Sequence, residues 1–236
     1  MAQTIIDLTT PIDAAHFRWK VDRELVRSHA AGDLFEVTRL GWVVHGFTHL
    51  DSPRHFAADG FTTDDIALET VMGEAAVVDI SRIAPNAPVT ETLISEAGAH
   101  IREDDIVLMR SGWDTVESIN TPEFWTNAPY MTEAASRWLL NRKIKAVAFD
   151  FPQDYCIRHL VTGDRQPVLE DNTTHVTLLL NGVIMFEYLC NMLALTQERV
   201  HFIGLPLKVP HCDGAPVRAI ALQNDPAHGG CQPGST

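Results

Sequence analysis

Cysteine is scarce and unpatterned in this chain: Cys156, Cys190, Cys212 and Cys231 are the four in 236 residues, and no two form a C-x-x-C pair. That speaks against a zinc-thiolate cluster or a disulfide framework and leaves reduced thiols as the expectation. Positive charge is short as well. Eighteen Lys and Arg stand against 31 Asp and Glu, a formal charge of −13, and no basic cluster is present to follow a phosphate backbone, so no nucleic-acid partner is expected. No apolar run approaches the roughly 20 residues that would span a bilayer, so no membrane partner is expected. The opening MAQTIIDLTTPID has neither a basic start nor an apolar stretch of signal-peptide length, which predicts a soluble, cytoplasmic protein. A G-x-S-x-G elbow is missing, which disfavours a serine hydrolase; Ser111 in RSGWD reads as a strand end.

What the chain does have is 45% hydrophobic and 21% charged residues, enough to bury a sizeable core. Neither a boundary nor an internal repeat divides it. One domain is predicted over residues 1–224, followed by a Pro- and Gly-rich tail, 225–236, expected to be mobile. TIIDLT reads as an opening strand, whereas Pro11 to Asp33 has no assignable structure. FEVTRLGWVVHGFTHLD is rich in β-branched and aromatic residues and reads as strands leading to a turn at Ser52-Pro53. EAAVVDIS and DDIVLMRSG have strand length, and VTETLISEAGAHI between them has helical spacing with Thr90 as N-cap. TEAASRWLLNRK, capped by Thr132, and IKAVAFDF, ending at Pro152, repeat that unit. EDNTTHVTLLLNGVIMFEYLCNML then reads as helix, break at Asn181-Gly182, and strand, before RVHFIGLPLKV and APVRAIAL close the chain. The predicted fold class is α/β, a single domain with a mixed sheet.

The stretch VHGFTHLDSPRHF holds three of the eleven histidines beside an aspartate and a proline. His45, His49, Asp51 and His55 share odd numbering, so an extended strand would present all four on one face. A straight strand would nevertheless carry His45 roughly 13 Å from His49 at ~3.3 Å per residue, near the limit for sharing one ion. The backbone must therefore bend, with Gly46 the expected place and Pro53 fixing the chain after Asp51. Two imidazoles and a carboxylate suit zinc or manganese, and three protein ligands leave a position open for water. A satisfied core or surface histidine is the plain reading of any one of them; a structural ion is the reading between, though such sites usually take four ligands with cysteine prominent.

A second pair reinforces the cluster. Glu187 sits in VIMFEYL with apolar residues on both sides, where an ionised carboxylate costs several kcal/mol unless it is paired or binds a cation. A buried arginine is one possible partner. The other is an ion shared with His175, because the helix that His175 starts is followed by a strand that folds back after Gly182.

These residues resemble a known family. HGFTHLDSPRHF is similar to the H-x-G-T-H-x-D-x-P-x-H-F signature of the putative cyclase family, which includes bacterial kynurenine formamidase and isatin hydrolase. IIDLT, LMRSGW, FDFPQD, the segment from His175 to Glu187 and LPLKVPHCDGAPVRAIAL stand as further landmarks in the expected order. The resemblance implies a swivelling β/β/α fold, a homodimer or homotetramer, and hydrolysis of an amide, often in a cyclic or formylated aromatic compound. It implies one zinc on the positions of His45, His49 and Asp51, a second on those of Asp51, His175 and Glu187, and an acid/base at that of His55. A one-metal manganese version is the isatin hydrolase pattern. Two departures stand out: Phe47 replaces the signature glycine, with Gly46 one place earlier, and HFRWK replaces a Trp-Pro-Gly segment.

The predicted activity is therefore hydrolysis of an amide bond in a small cyclic or N-formyl compound by metal-activated water. The predicted cofactor is zinc or manganese, one or two ions per subunit, with His55 as proton shuttle because a histidine pKa near 6.5 suits both giving and taking a proton. A lactone hydrolase or dehydratase on the same site, or a metal-binding protein without turnover, are the rival readings. No substrate-binding residue is identified; Trp19 and Trp42 are both unassigned.

Overall fold

The computed structural model of the protein describes residues 3–224. The tail expected to be mobile, 225–236, and Cys231 with it, lie outside those residues. The apolar runs form strands β1 (Gln3–Asp7), β2 (Asp22–Arg27), β3 (Val37–Gly41), β4 (His49–Asp51), β5 (Met72–Asp79) and β6 (Pro88–Val89). They continue with β7 (Ile106–Arg110), β8 (Tyr130–Met131), β9 (Ala146–Phe149), β10 (Ile184–Glu187), β11 (Arg199–Pro206) and β12 (Gly214–Asn224). Helices α1 (Leu68–Val71), α2 (Glu91–Ala97), α3 (Pro122–Thr126), α4 (Glu133–Asn141), α5 (Ile157–Thr162) and α6 (Thr173–Thr177) lie among them. Thr90 and Thr132 cap α2 and α4 as expected, each side chain accepting from the backbone N–H three residues on.

Eight strands form one mixed sheet in the order β1-β12-β11-β5-β7-β9-β10-β4. β5, β7, β9 and β10 run parallel, with helices in each crossover, as parallel pairing requires. β12 closes the sheet into a barrel. It is long enough to pair with β4 through residues 214–216, with β11 through 217–222 and with β1 through 220–224. The closure is a contact between residues far apart in the chain.

Strand alternation sorts the core into two clusters. Val77, Leu108, Ala148 and Phe186 face inside the closed sheet with Leu8, Leu50 and Phe202. Val78, Met109, Phe149 and Met185 face outward against the helices, packing on Ile94, Leu139 and Phe124. Ser111 is buried, and its hydroxyl donates to Asp150 at 2.5 Å; burial pushes that carboxyl up to about 7 despite the hydrogen bonds it accepts from Ser111 and Gly112. Ser111 is thus committed to holding a strand end. Cys156, Cys190 and Cys212 are free, and burial pushes the first two thiols up to about 12 and about 11.

Two features were not legible in the sequence. The unassigned segment supplies β2, which pairs antiparallel with β3, a strand the sequence does suggest, in a ribbon whose residues are all exposed. The bend that brings His45 to His49 is centred on Phe47, not Gly46: Phe47 takes φ 62, in the left-handed region. A non-glycine residue there costs about 1–2 kcal/mol, and burial of the Phe47 ring against Trp19 and His16 offsets it. Gly46 is needed for a different reason, since a Cβ on it would stand 3.3 Å from the Trp19 indole and 3.2 Å from the Val43 carbonyl.

Candidate metal centre

The centre is built on a cross-strand pair. β4 and β10 are antiparallel neighbours in which His49 stands opposite Glu187 and Asp51 opposite Met185. Because side chains alternate, Leu50 and Phe186 point into the barrel, while His49, Asp51 and Glu187 share the outer face with Met185. The turn at Phe47 swings His45 back over this face, and the 3-10 turn Pro53–His55 brings His55 beside it. From the other side α6 presents His175.

The inward-facing atoms converge on Asp51. One of its oxygens, Oδ1, lies 2.7 Å from His45 Nδ1 and 3.2 Å from His49 Nε2, and the other, Oδ2, lies 3.4 Å from His175 Nε2. Glu187 continues the set, 3.2 Å from His175 Nε2 and 3.7 Å from His49 Nε2. All five sequence-predicted ligands are therefore together, and His55 is with them: one of its ring nitrogens comes within 4.8 Å of ligand atoms of Asp51 and His175. The arginine expected as a possible partner for Glu187 is not its neighbour; its contacts are His175, His49 and the side-chain amide of Gln153.

These residues fit a divalent cation. His49 Nε2 and Asp51 Oδ2 are buried with no hydrogen-bond partner, a costly condition for polar atoms unless something else satisfies them. Ligand atoms each ~2.1 Å from a tetrahedral ion stand about 3.4 Å apart, close to the separations between 3.2 and 3.7 Å found here. Only the His45–Asp51 pair is tighter, at hydrogen-bond distance. The donors, imidazole and carboxylate without thiolate, suit zinc or manganese.

Among the side chains alone, charge is balanced inside the cluster. Burial raises the Asp51 carboxyl, but the facing imidazoles of His49, His175 and His45 overcome it and hold Asp51 well below the usual range. Burial and the charge of Asp51 likewise push Glu187 up, and His175 and His49 bring it below its ordinary value. Burial works against the charged form of His175 and His45, yet Asp154, Asp51 and Glu187 raise the first, and Asp51 and Asp213 lift the second to about 9. His55 goes the other way. Burial dominates and lowers it, with the carboxylates only partly compensating.

Three contacts were not predicted. Asp154 is buried and accepts from His175 Nδ1 at 2.6 Å and from the backbone and hydroxyl of Thr174, which docks α6. Gln153 donates to Glu187. Asp213, in the turn before β12, lies 2.7 Å from His45 Nε2 and 3.7 Å from His55 Nδ1. FDFPQD and HCDGAPV carry these residues, but nothing in their local spacing points to histidines 21 and 168 positions away. Aromatic rings flank the set: Phe56 stacks on His175 at 4.3 Å, and Tyr188 lies 5.5 Å from His49, with Trp19 behind it. Trp42 lines a separate surface cleft of about 390 Å³ with Asp7, Pro216 and Arg218.

A model of the family described as Putative cyclase matches residues 6–153. The kynurenine formamidase of Salinibacter ruber is 26% identical over 224 residues, covering 92% of this chain and 96% of that one. The isatin hydrolase of Roseibium aggregatum is 27% identical over 205 residues, covering 77% and 73%. Among solved structures, isatin hydrolase A from Labrenzia aggregata bound to benzyl benzoate matches with a TM-score of 0.78 at 21% identity over 93% of both chains. An isatin hydrolase bound to the product analogue thioisatinate matches with a TM-score of 0.80 at 21% identity, over 94% of this chain and 93% of that one. At such identity the structural likeness is one of fold, a mixed α/β domain whose sheet closes into a barrel.

Proposed function

The chain belongs to the putative cyclase family, and from that membership we propose that the protein is a metal-dependent hydrolase of a small cyclic or N-formyl amide, with an aromatic substrate. The observation that carries the reading is Asp51: its two oxygens face different imidazoles, and one of them, with His49 Nε2, is buried without a hydrogen-bond partner. His45, His49 and Asp51 would hold one zinc or manganese ion; Asp51, His175 and Glu187 would hold a second. The names of the relatives and the rings of Phe56 and Tyr188 beside the histidines support an aromatic substrate.

An ion on these ligands supplies what an amide needs, a lowered pKa for water and a polarised carbonyl. The chain's own part is proton transfer and orientation. Burial favours the neutral form of His55, the form that can take the proton from the attacking water. The same nitrogen then returns it to the leaving nitrogen, so the amine departs uncharged. Asp154 and Gln153 hold His175 and Glu187 in place, which spares the site reorganisation when substrate arrives.

The test is elemental analysis of the purified protein together with turnover of cyclic amides and formamides before and after chelation. Zinc or manganese should be found, and activity should be lost on chelation and return when the ion is restored. Full turnover in a demonstrably metal-free preparation would refute the reading; turnover of lactones but not amides would move it to the ester analogue.

The protein acts as a homo-oligomer in this reading. The ribbon of β2 and β3 exposes Leu25, Val26 and Leu40, and its connecting loop exposes Leu34 and Phe35. A lone two-stranded ribbon is marginal in water, so a neighbouring subunit is the natural cover. Light scattering at micromolar concentration should give a multiple of the 26.2 kDa chain mass; a monomer counts against this part of the reading.

A further inference from the structure

Each of the three ligand imidazoles, His45, His49 and His175, has one nitrogen turned toward Asp51 or Glu187 and the other tied to an acceptor. For His49 the tie is the Phe47 carbonyl at 2.8 Å, and for His175 it is Asp154 at 2.6 Å. For His45 it is Asp213, at 2.7 Å from Nε2. The first two are buried, but the Asp213 side chain is 43% exposed. It is nevertheless held on a rigid backbone: the Asp213 carbonyl accepts from both the N–H and the hydroxyl of Ser52 at 3.0 Å, which ties it to the residue following Asp51. Next to it, a Cβ on Gly214 would stand 2.7 Å from the His45 ring, so the loop passes directly over that histidine.

The same oxygen of Asp213 that meets His45 is 3.7 Å from Nδ1 of His55, and the two rings stack at 3.8 Å between centroids with 25° between planes. The rings are near-parallel, so one carboxylate oxygen reaches towards a ring nitrogen of each. A carboxylate is the group that suits them. We propose that Asp213 is a positioning residue serving two histidines at once: it accepts the Nε2–H of His45, which leaves Nδ1 as the nitrogen offered on the Asp51 side, and it holds the His55 ring parallel to that of His45. A histidine ligand can present either nitrogen, and the hydrogen bond made by the other one decides which. Without Asp213 the His45 ring is free to turn, and the stack that orients His55 loses its anchor.

This inference rests on the metal-dependent reading, and it predicts a double effect that a purely structural aspartate would not give. Metal-free wild type, Asp213→Ala and Asp213→Asn are titrated with zinc against a chromophoric chelator, and kcat and KM are then measured at saturating zinc on an amide that the wild type hydrolyses. Asp213→Ala should bind zinc about 10–100-fold more weakly. At saturating zinc its kcat should stay about tenfold or more below wild type with KM unchanged, because His55 is misplaced even when the ion is not. Asp213→Asn, which keeps an acceptor oxygen for His45, should lose less affinity than the alanine variant. Unchanged zinc affinity in Asp213→Ala, or complete recovery of kcat at saturating zinc, overturns the proposal. The two readings separate cleanly: a wild type that binds zinc but hydrolyses nothing refutes the hydrolase, while the affinity comparison still judges Asp213. A wild type that takes up no zinc overturns both.

Discussion

Asp51→Asn should empty the centre and bring turnover down to background. The wild-type carboxylate offers two acceptor oxygens, one facing His45 and His49 and the other facing His175. An asparagine keeps one oxygen and puts a donor N–H₂ where the second stood, so it can serve one side of the site only, and it turns N–H toward lone pairs that would face an ion. The loss of affinity should exceed the ~10–100-fold typical of removing a residue that merely supports a ligand. His45→Ala removes a ligand from one set alone and should be milder. The comparison is metal stoichiometry and affinity for both variants by competitive titration; equal losses would remove the case for a bridging role. Thermal unfolding belongs beside it. Taking one partner from a buried ionic cluster costs about 3–5 kcal/mol, or a fall of roughly 6–20 °C in Tm for a domain of this size, so affinity is read below the transition of the variant.

His55→Ala should keep both fold and ion while losing most of the catalysis. The ring is the least buried of the histidines at the centre, and its surroundings lower its pKa where those of His45 and His175 raise theirs. That sets it apart as a base held ready. Positioned proton transfer contributes typically 10²–10⁴-fold, so kcat should fall by about a hundredfold or more. Ligand atoms of Asp51 and His175 are near enough that His55 could coordinate, and the variant decides between the roles. Occupancy that collapses with activity makes His55 a ligand; turnover that survives with occupancy intact means the proton travels another way. A drop in thermal midpoint with neither change would mark a structural histidine.

The sequence by itself determined the parts of the centre that rest on local physics. His45, His49, Asp51 and His55 are neighbours in the chain, so their meeting needs only a bend, and Glu187 is conspicuous because a carboxylate between apolar strand residues needs a partner whatever the fold. His175 followed from the break at Gly182, where φ is 84 and the chain does turn back into β10. The caps at Thr90 and Thr132 belong to the same class, since a helix start is recognised within four residues. The place of the bend was not so legible. Glycine tolerates left-handed dihedrals, which pointed to Gly46, but the burial of Phe47 against Trp19 and His16 outweighs its backbone cost, and that burial comes from outside the motif. Only the tertiary structure decided that β12 closes the sheet by pairing with β4, and so brings Asp213 over His45 from 168 residues away. It likewise set Asp154 and Gln153 behind His175 and Glu187, and paired β3, which the sequence reads as a strand, with β2 from a segment without periodicity. The reason is range: periodicity, capping and the cost of a buried charge act through near neighbours in the chain, whereas register and hydrogen-bond partners across a closed sheet exist only once distant strands have met.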